Sequence, residues 1–256
     1  MAAVERIVFV HGSIVGGRAT WREQRRGLDG LAELVVLERP GFAVSETLSD
    51  FSRTPPPVGR VDFEEHAVWV AERLEPGDHL VGHSYGGVIS LLTAARVGDR
   101  VASLTVVEPP ATRVALDVPE VAAFARGGEE LWANGPRDDP EAFMRAFLSA
   151  VGSDFDPPTP LPPQLLQGAH ALMHERGPWE ADIPLEALAA RRLPTLVVSG
   201  AHHPAFEAIC DRLERALSAE RLVLPGFGHN VQVHPDFNAA LLDFVGRAGG
   251  ADPAGA

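Results

Sequence analysis

Six short, mostly apolar runs divide the chain, and polar residues do not alternate within them. Apolar runs of this length are typical of strands that are buried on both faces, as in a parallel sheet covered by helices. Glycine or proline follows the first two runs closely, as expected where a strand gives way to a loop. The predicted strands are Ile7–Val10, Leu34–Leu37, Leu80–Val81, Leu104–Val107, Leu196–Val198 and Leu222–Leu224.

The segments between these runs repeat apolar residues with the spacing of an α-helix. Asp62 can cap one such helix, Pro204 can begin a second, and Pro235 lies near the start of a third. Alternating strands and helices predict an α/β fold, a mostly parallel sheet with helices on both faces. The apolar positions are Phe63, Ala67, Val70 and Leu74 in the first helix, Phe206, Cys210, Leu213 and Leu217 in the second, and Phe237, Leu241, Phe244 and Val245 in the third.

The alternation is interrupted once, over residues 111–193, which contain helical patterns but no convincing strand. Within this interval Asp139-Pro140 is a typical helix start, because aspartate caps free amides and proline suits the first turn. We therefore predict a helical insertion in a single core domain. The predicted parts are the core over residues 1–110 and 194–248, the insertion over 111–193, a surface loop over 52–60 and a flexible tail over 249–256.

Composition narrows the classes of protein without identifying one. The 256 residues are 45% hydrophobic and carry a formal net charge of −13. A chain this acidic is a poor candidate for binding nucleic acid or an anionic membrane. The single cysteine, Cys210, excludes an internal disulfide, and the first residues do not resemble a secretory signal peptide. We expect a soluble, cytoplasmic protein that acts on a small molecule; its oligomeric state stays open.

Several histidines could suggest a metal site. His170 and His174 are spaced i, i+4, and His202 and His203 are adjacent. Helical metal sites of this spacing carry an acidic partner in an H-E-x-x-H pattern, which this chain lacks. We expect neither a metal nor a cofactor.

One motif carries candidate chemistry. Gly82-His83-Ser84-Tyr85-Gly86 fits the pattern G-x-S-x-G, and it lies between a predicted strand, His79–Val81, and a predicted helix, Val88–Arg96. This is the context of a nucleophile elbow, where serine sits on a sharp turn and flanking glycines let strand and helix approach closely. The helix N-terminus also favours negative charge at the site. Ser84 is therefore the candidate nucleophile.

With this motif, nearly the whole chain resembles the α/β-hydrolase family. His11-Gly12-Ser13 is similar to the family's oxyanion loop, and Gly226-Phe227-Gly228-His229 looks like the loop that presents its catalytic histidine. Arg39-Pro40-Gly41-Phe42, with Ser45 beyond, partly matches a third family stretch, in which aspartate is usual where Glu38 and Arg39 stand and glycine where Ala43 stands. The insertion falls where the family places its cap.

The resemblance implies a Ser-His-acid triad with Ser84 as nucleophile and His229 as general base. The acid is less clear, because the residues after the post-insertion strand include His202 where the family usually has aspartate. A second family location is the end of the strand before the insertion, where Glu108 stands in the family order Ser84…Glu108…His229. We favour Glu108. The alternatives on the following helix are Glu207 and Asp211.

The other site residues follow from the same resemblance. The backbone N–H groups of Ser13 and Tyr85 are the expected oxyanion donors, while His11 and His83 are expected to be structural. A helical lid over the serine must present apolar surface, which implies a small to medium, partly apolar substrate. The candidate pocket residues are Trp132, Phe143, Phe147 and Met173.

The predicted function is hydrolysis of a carboxylic ester, lactone or thioester through an acyl-enzyme. Family members that use an aspartate nucleophile are disfavoured by Ser84. Two alternatives stay open: a cofactor-free lyase or acyltransferase on the same fold, and a ligand-binding protein with poor turnover.

Overall fold

A computed structural model describes residues 5–42, 61–97 and 100–249 of the protein. The predicted surface loop over residues 52–60 lies outside these ranges, as do Ala43, Ser45 and the tail beyond residue 249.

Within the described residues, six parallel strands form one sheet in the order β2-β1-β3-β4-β5-β6. Each contains one of the predicted apolar runs or most of it, so the prediction of a mostly parallel α/β sheet is confirmed. β3 and β4 are longer than predicted: β3 also includes polar residues at its ends, Asp78, His79 and His83, and β4 begins three residues earlier, at Val101. The strands are β1 (Arg6–Val10), β2 (Glu33–Leu37), β3 (Asp78–His83), β4 (Val101–Val107), β5 (Thr195–Ser199) and β6 (Glu220–Val223).

Helices connect the strands, and two of the predicted caps are present. The Asp62 side chain accepts a hydrogen bond from the Glu64 amide, and the Asp139 side chain accepts one from the Ala142 amide. The helices are α1 (Gly17–Thr20), α2 (Arg22–Gly27), α3 (Phe63–Ala71), α4 (Tyr85–Val97), α5 (Pro119–Asn134), α6 (Pro140–Ala150), α7 (Pro163–Met173), α8 (Leu185–Ala190), α9 (Pro204–Leu217) and α10 (Phe237–Gly249).

The two faces of the sheet bury separate apolar clusters. In β1, Val8 and Val10 pack in the cluster that includes α3, α4 and α9, whereas Ile7 and Phe9 pack in the cluster that includes Trp21 and α10. This split follows from strand geometry, because successive side chains point to opposite faces. Both faces are therefore covered by helices, as the unbroken apolar runs predict.

The interval 111–193 contains α5 to α8 and, in place of a strand, an isolated bridge between Glu175 and Val61. Phe143, Met144 and Leu172 in this interval form a third apolar cluster, which also includes Ile14 from the loop after β1. The helical segment is thus packed onto the sheet domain near the end of β1. Its assignment as a cap, with the domain boundaries above, stays a prediction. Among the described residues, no helix is long and apolar enough to cross a membrane.

Helix α4 lies close against the strands at the glycines of the G-x-S-x-G motif. A Cβ atom added to Gly86 would lie less than 3.0 Å from the carbonyl oxygens of Val10 and His11, and one added to Gly82 would lie less than 3.0 Å from the Gly86 carbonyl oxygen. Because these neighbours are backbone atoms, they cannot turn aside as a flexible side chain would. The glycines therefore set the distance between strand and helix.

We expect Gly86→Ala to lower the free energy of unfolding by about 1–3 kcal/mol or more, since a crowded core must shift to admit the methyl group. Gly127→Ala is the matched control. A Cβ there meets nothing within 4 Å on an exposed position of α5, and alanine favours a helix over glycine by about 0.5–1 kcal/mol. Urea denaturation measures both. Equal effects of the two substitutions would contradict the packing argument.

Candidate active site

The candidate site lies where the parallel strands end at their carboxyl edge. Ser84 follows β3 and Glu108 follows β4, and both adopt a left-handed backbone with φ of 54° and 48°. Their amides extend the sheet ladder by one residue: Ser84 N–H donates to the Val107 carbonyl at 2.8 Å, and Glu108 N–H donates to the Val198 carbonyl at 2.9 Å. Such backbone conformations are costly for non-glycine residues and persist where the surroundings impose them.

The structure brings the three predicted triad residues together. The Ser84 Oγ lies 2.9 Å from Nε2 of His229, and Nδ1 of the same ring lies 3.0 Å from Oε2 of Glu108. All three side chains are buried. The hydrogen bonds therefore form one chain from a serine hydroxyl, through an imidazole, to a carboxylate.

The carboxylate of Glu108 is held from several sides. Its Oε1 accepts the Gly200 amide at 2.7 Å, and its Oε2 also lies 3.3 Å from Nδ1 of His202. Burial alone would raise the pKa of Glu108, but the close contact with His202 and the hydrogen bond with His229 outweigh it and lower the pKa to about 2. Glu108 is therefore an anion over the pH range in which proteins function.

The alternative acids have different partners. The Glu207 Oε1 accepts the Ala201 amide at 2.9 Å, and its Oε2 pairs with Arg221 at 2.8 Å. The Asp211 carboxylate lies 3.7 Å from the same guanidinium. Arg221 thus faces both carboxylates that we considered beside Glu108.

His83 and His11 support the loops around the serine. His83 donates from Nε2 to the His229 carbonyl at 2.9 Å, and burial lowers the pKa of His83 to about 3, so its ring is neutral. His11 Nε2 accepts the Arg39 amide at 3.0 Å. Both contacts fit the structural roles expected from the sequence.

Ser13 and Tyr85, the predicted oxyanion donors, lie beside Ser84. The loop that holds Ser13 approaches so closely that a Cβ on Gly12 would lie 2.9 Å from the Ser84 Cβ. Tyr85 is the first residue of α4, and its hydroxyl donates to the Arg176 carbonyl at 2.9 Å. Its hydroxyl is therefore occupied by a carbonyl of the helical segment.

Two cavities meet at Ser84 and Ser13. The first, which we call the aromatic cavity, has a volume of about 40 Å³ and includes Trp132 in its lining. The second, the histidine cleft, has a volume of about 350 Å³ and is lined in part by His229. Phe147 lines both. The aromatic side chains of the first cavity are Tyr85, Phe124, Trp132, Phe147, Trp179 and Phe206.

Two of the predicted pocket residues lie away from these cavities. Phe143 is fully buried in the cluster between α6 and α7, and Met173 packs in the same cluster. Both belong to helix faces that pack against each other, whereas Phe147, one turn after Phe143, faces the serine. The sequence pattern showed one apolar stripe but not which part of it reaches the site.

A family model described as the alpha/beta hydrolase family matches residues 7–241. The chain belongs to the α/β hydrolase family. No curated protein matches it significantly in sequence.

Solved structures share the fold of this α/β hydrolase. A bacterial membrane phospholipase A aligns over 98% of this chain and 81% of its own, at 22% identity and a TM-score of 0.69. A meta-cleavage product hydrolase from Pseudomonas fluorescens IP01 aligns over 95% and 91%, at 19% identity and a TM-score of 0.63. A thermophilic esterase from Thermogutta terrifontis aligns over 95% and 90%, at 21% identity and a TM-score of 0.58.

This α/β hydrolase also has a buried ion pair that the sequence did not predict. Arg39 and Glu175 are almost inaccessible to solvent, and Nη2 of the arginine lies 3.0 Å from Oε1 of the glutamate. Arg39 Nη2 also donates to the Gly12 carbonyl at 2.6 Å, and its guanidinium stacks between the rings of Phe42 and Tyr85 at 4.5 and 5.0 Å. The pair joins the loops after β1 and β2 to the helical segment.

Glu175 reaches the candidate site through Ser13. The Ser13 hydroxyl donates to Oε2 of Glu175 at 2.5 Å, and both residues line the aromatic cavity. Burial raises the pKa of Glu175, while Arg39 and Ser13 partly offset this by favouring the anion. In the sequence, Arg39 stands out because the family usually has aspartate in this stretch. No residue near Glu175 marks Glu175 as the partner of Arg39.

We expect Glu175→Leu to lower the free energy of unfolding by about 3–5 kcal/mol, because Arg39 is left as a buried charge without its counterion. The double variant Arg39→Met/Glu175→Leu should recover most of this loss, since neither charge remains. Glu180→Gln is the control, because it breaks a half-exposed pair with Arg176 and should change stability by less than about 1 kcal/mol. Additive effects in the double-mutant cycle would rule out the pairing.

Proposed function

We propose that the protein is a serine hydrolase that cleaves a carboxylic ester, lactone or thioester of a small to medium, partly apolar substrate. The hydrogen-bonded chain Ser84–His229–Glu108 carries the proposal. A serine hydroxyl is a weak nucleophile until a base removes its proton as the new bond forms. In this arrangement His229 Nε2 is within reach of that proton, and Glu108 holds the opposite side of the ring.

In the first step, Ser84 Oγ attacks the substrate carbonyl carbon and its proton passes to His229 Nε2. Glu108 accepts the Nδ1–H of the ring, which fixes the tautomer and stabilises the imidazolium. The carbonyl oxygen becomes an oxyanion, and the backbone N–H groups of Ser13 and Tyr85 are the donors we assign to it. Preformed donors of this kind stabilise developing charge without having to reorganise.

In the second step, the bond to the leaving group breaks and His229 returns the proton to the departing oxygen or sulfur. Because His229 lines the histidine cleft, we place the leaving group there. The acyl group then occupies the aromatic cavity. Water, activated by the same imidazole, adds to the acyl carbon and releases the acid and free Ser84.

The volumes of the two cavities refine the substrate class. About 40 Å³ holds only a few water-sized groups, so the aromatic cavity suits a short acyl chain. The histidine cleft, at about 350 Å³, accepts a larger leaving group. A neighbour named as an esterase shares the fold, which agrees with this chemistry.

Ser84→Ala is expected to abolish hydrolysis of an activated short-chain ester, such as 4-nitrophenyl acetate, while circular dichroism and unfolding temperature stay unchanged. It should also abolish covalent labelling by a fluorophosphonate. Ser90→Ala is the control: Ser90 is a buried serine in the same helix α4, and its removal should leave stoichiometric labelling intact. Full activity in Ser84→Ala would refute the proposal. Saturable ligand binding without labelling would support a binding protein instead.

Glu108→Gln is expected to lower kcat by about 10³–10⁴-fold, because an amide cannot stabilise the imidazolium and can hold the wrong tautomer. Glu207→Gln, which alters the carboxylate facing Arg221, should retain kcat within about threefold at saturating substrate. Steady-state kinetics on one ester compare the two variants. The opposite ranking would transfer the role of the acid to Glu207.

A further inference from the structure

His202 lies against the triad at the position where the family usually has an acid. It follows β5 in the loop Gly200–His202, and its side chain is mostly buried. Nδ1 lies 3.3 Å from Oε2 of Glu108, the oxygen that also faces His229. Nε2 lies 3.1 Å from the carbonyl oxygen of Val151, at the end of α6.

His202 Nε2 is therefore hydrogen-bonded to an acceptor, and Nδ1 lies within ion-pair range of a carboxylate. A backbone carbonyl can only accept, so the nitrogen facing Val151 carries a hydrogen. A neutral imidazole has one N–H, and its other nitrogen would then leave a lone pair 3.3 Å from an anionic carboxylate, a contact within ion-pair range that lacks hydrogen-bond alignment. The imidazolium removes this conflict, because it carries an N–H on both sides.

The surrounding charges favour the same state. Glu108 and Glu207 are the carboxylates near the ring, while His203 and His229 are the neighbouring titratable rings. The apolar ring of Phe206 stacks on the remaining face at a centroid distance of 5.6 Å. Burial lowers the pKa of His202, but the close contact with the charged Glu108 outweighs it, so that the pKa is raised above its usual value.

We propose that His202 is a positively charged positioning residue, which anchors Glu108 and shares the negative charge that Glu108 presents to His229. The inference rests on the proposed function, in which His229 is the base. A carboxylate that pairs with one imidazolium is a weaker partner for a second. His202 therefore reduces the negative charge with which Glu108 acts on the His229 ring.

His202→Asn removes the charge and tests this directly. We expect the acid limb of the pH profile of kcat/KM to move upward by about one pH unit, because His229 now faces the full charge of Glu108. His203→Asn is the matched control. His203 Nδ1 caps α9 by accepting the Ala205 amide, and asparagine is an equally good cap. The control should keep the wild-type profile. A loss of activity in His202→Asn that is equal at every pH would overturn the proposal.

A second readout needs no turnover. Because the folded-state pKa of His202 is raised, its charge stabilises the fold fully below the unfolded pKa of about 6.5, and this contribution is lost as the pH rises through the folded pKa. The stability lost in His202→Asn should therefore be larger at pH 5.5 than at pH 9. Urea denaturation measures the difference, again with His203→Asn as control. An equal loss at both pH values contradicts a charged His202 whether or not the protein is a hydrolase.

Titration of the wild-type histidine rings by NMR covers the case in which His202→Asn does not fold. The His202 ring should titrate above pH 6.5, with both ring nitrogens protonated below that value. A neutral ring at pH 6 would overturn the proposal. The same NMR titration of Ser84→Ala protein, which is expected to be inactive, should give the same result for His202. The titration therefore tests the His202 inference separately from the proposed function.

Discussion

The active-site edge of this protein depends on one buried carboxylate. Removing Glu108 from water is costly, and the cost is tolerated only because donors surround it. The Gly200 amide holds one oxygen, and the rings of His229 and His202 face the other. These donors come from the loops after β5 and β6. Satisfying a single anion therefore fixes His229, its hydrogen-bond partner Ser84 and the loop after β5 relative to one another.

Close packing makes this placement rigid. The left-handed residues Ser84 and Glu108 each extend the strand ladder by one amide and then turn the chain sharply away from the sheet. Gly86 allows α4 to approach the backbone of β1 at the same point. The strain at these turns is balanced by burial on both faces of the sheet. The geometry of the serine is thus a property of three strands and a helix together, rather than of the motif alone.

The sequence predicted the parts of this arrangement that are local. Apolar runs located the six strands, and the glycine spacing located the turn at Ser84, because both depend on neighbouring residues. Choosing Glu108 required knowing which strand ends are adjacent, and the sequence could only rank it above Glu207 and Asp211. The pair of Arg39 and Glu175 was out of reach, since 136 residues separate its members. The sequence also cannot decide which side of α6 faces the serine, because that depends on how distant elements pack. It therefore predicts Phe143 as a pocket residue together with Phe147.

Two polar contacts tie the helical segment to the candidate site. Glu175 reaches Ser13 and Arg39 beside the aromatic cavity, and the Val151 carbonyl holds His202 against Glu108. Each contact joins a helix end to a loop at the carboxyl edge of the sheet. A displacement of the segment would therefore change the charge environment of both Ser13 and His229, as well as the shape of the cavity. The segment is in this way part of the electrostatic environment of Glu108 and His229, because the Val151 carbonyl that lies against His202 belongs to it.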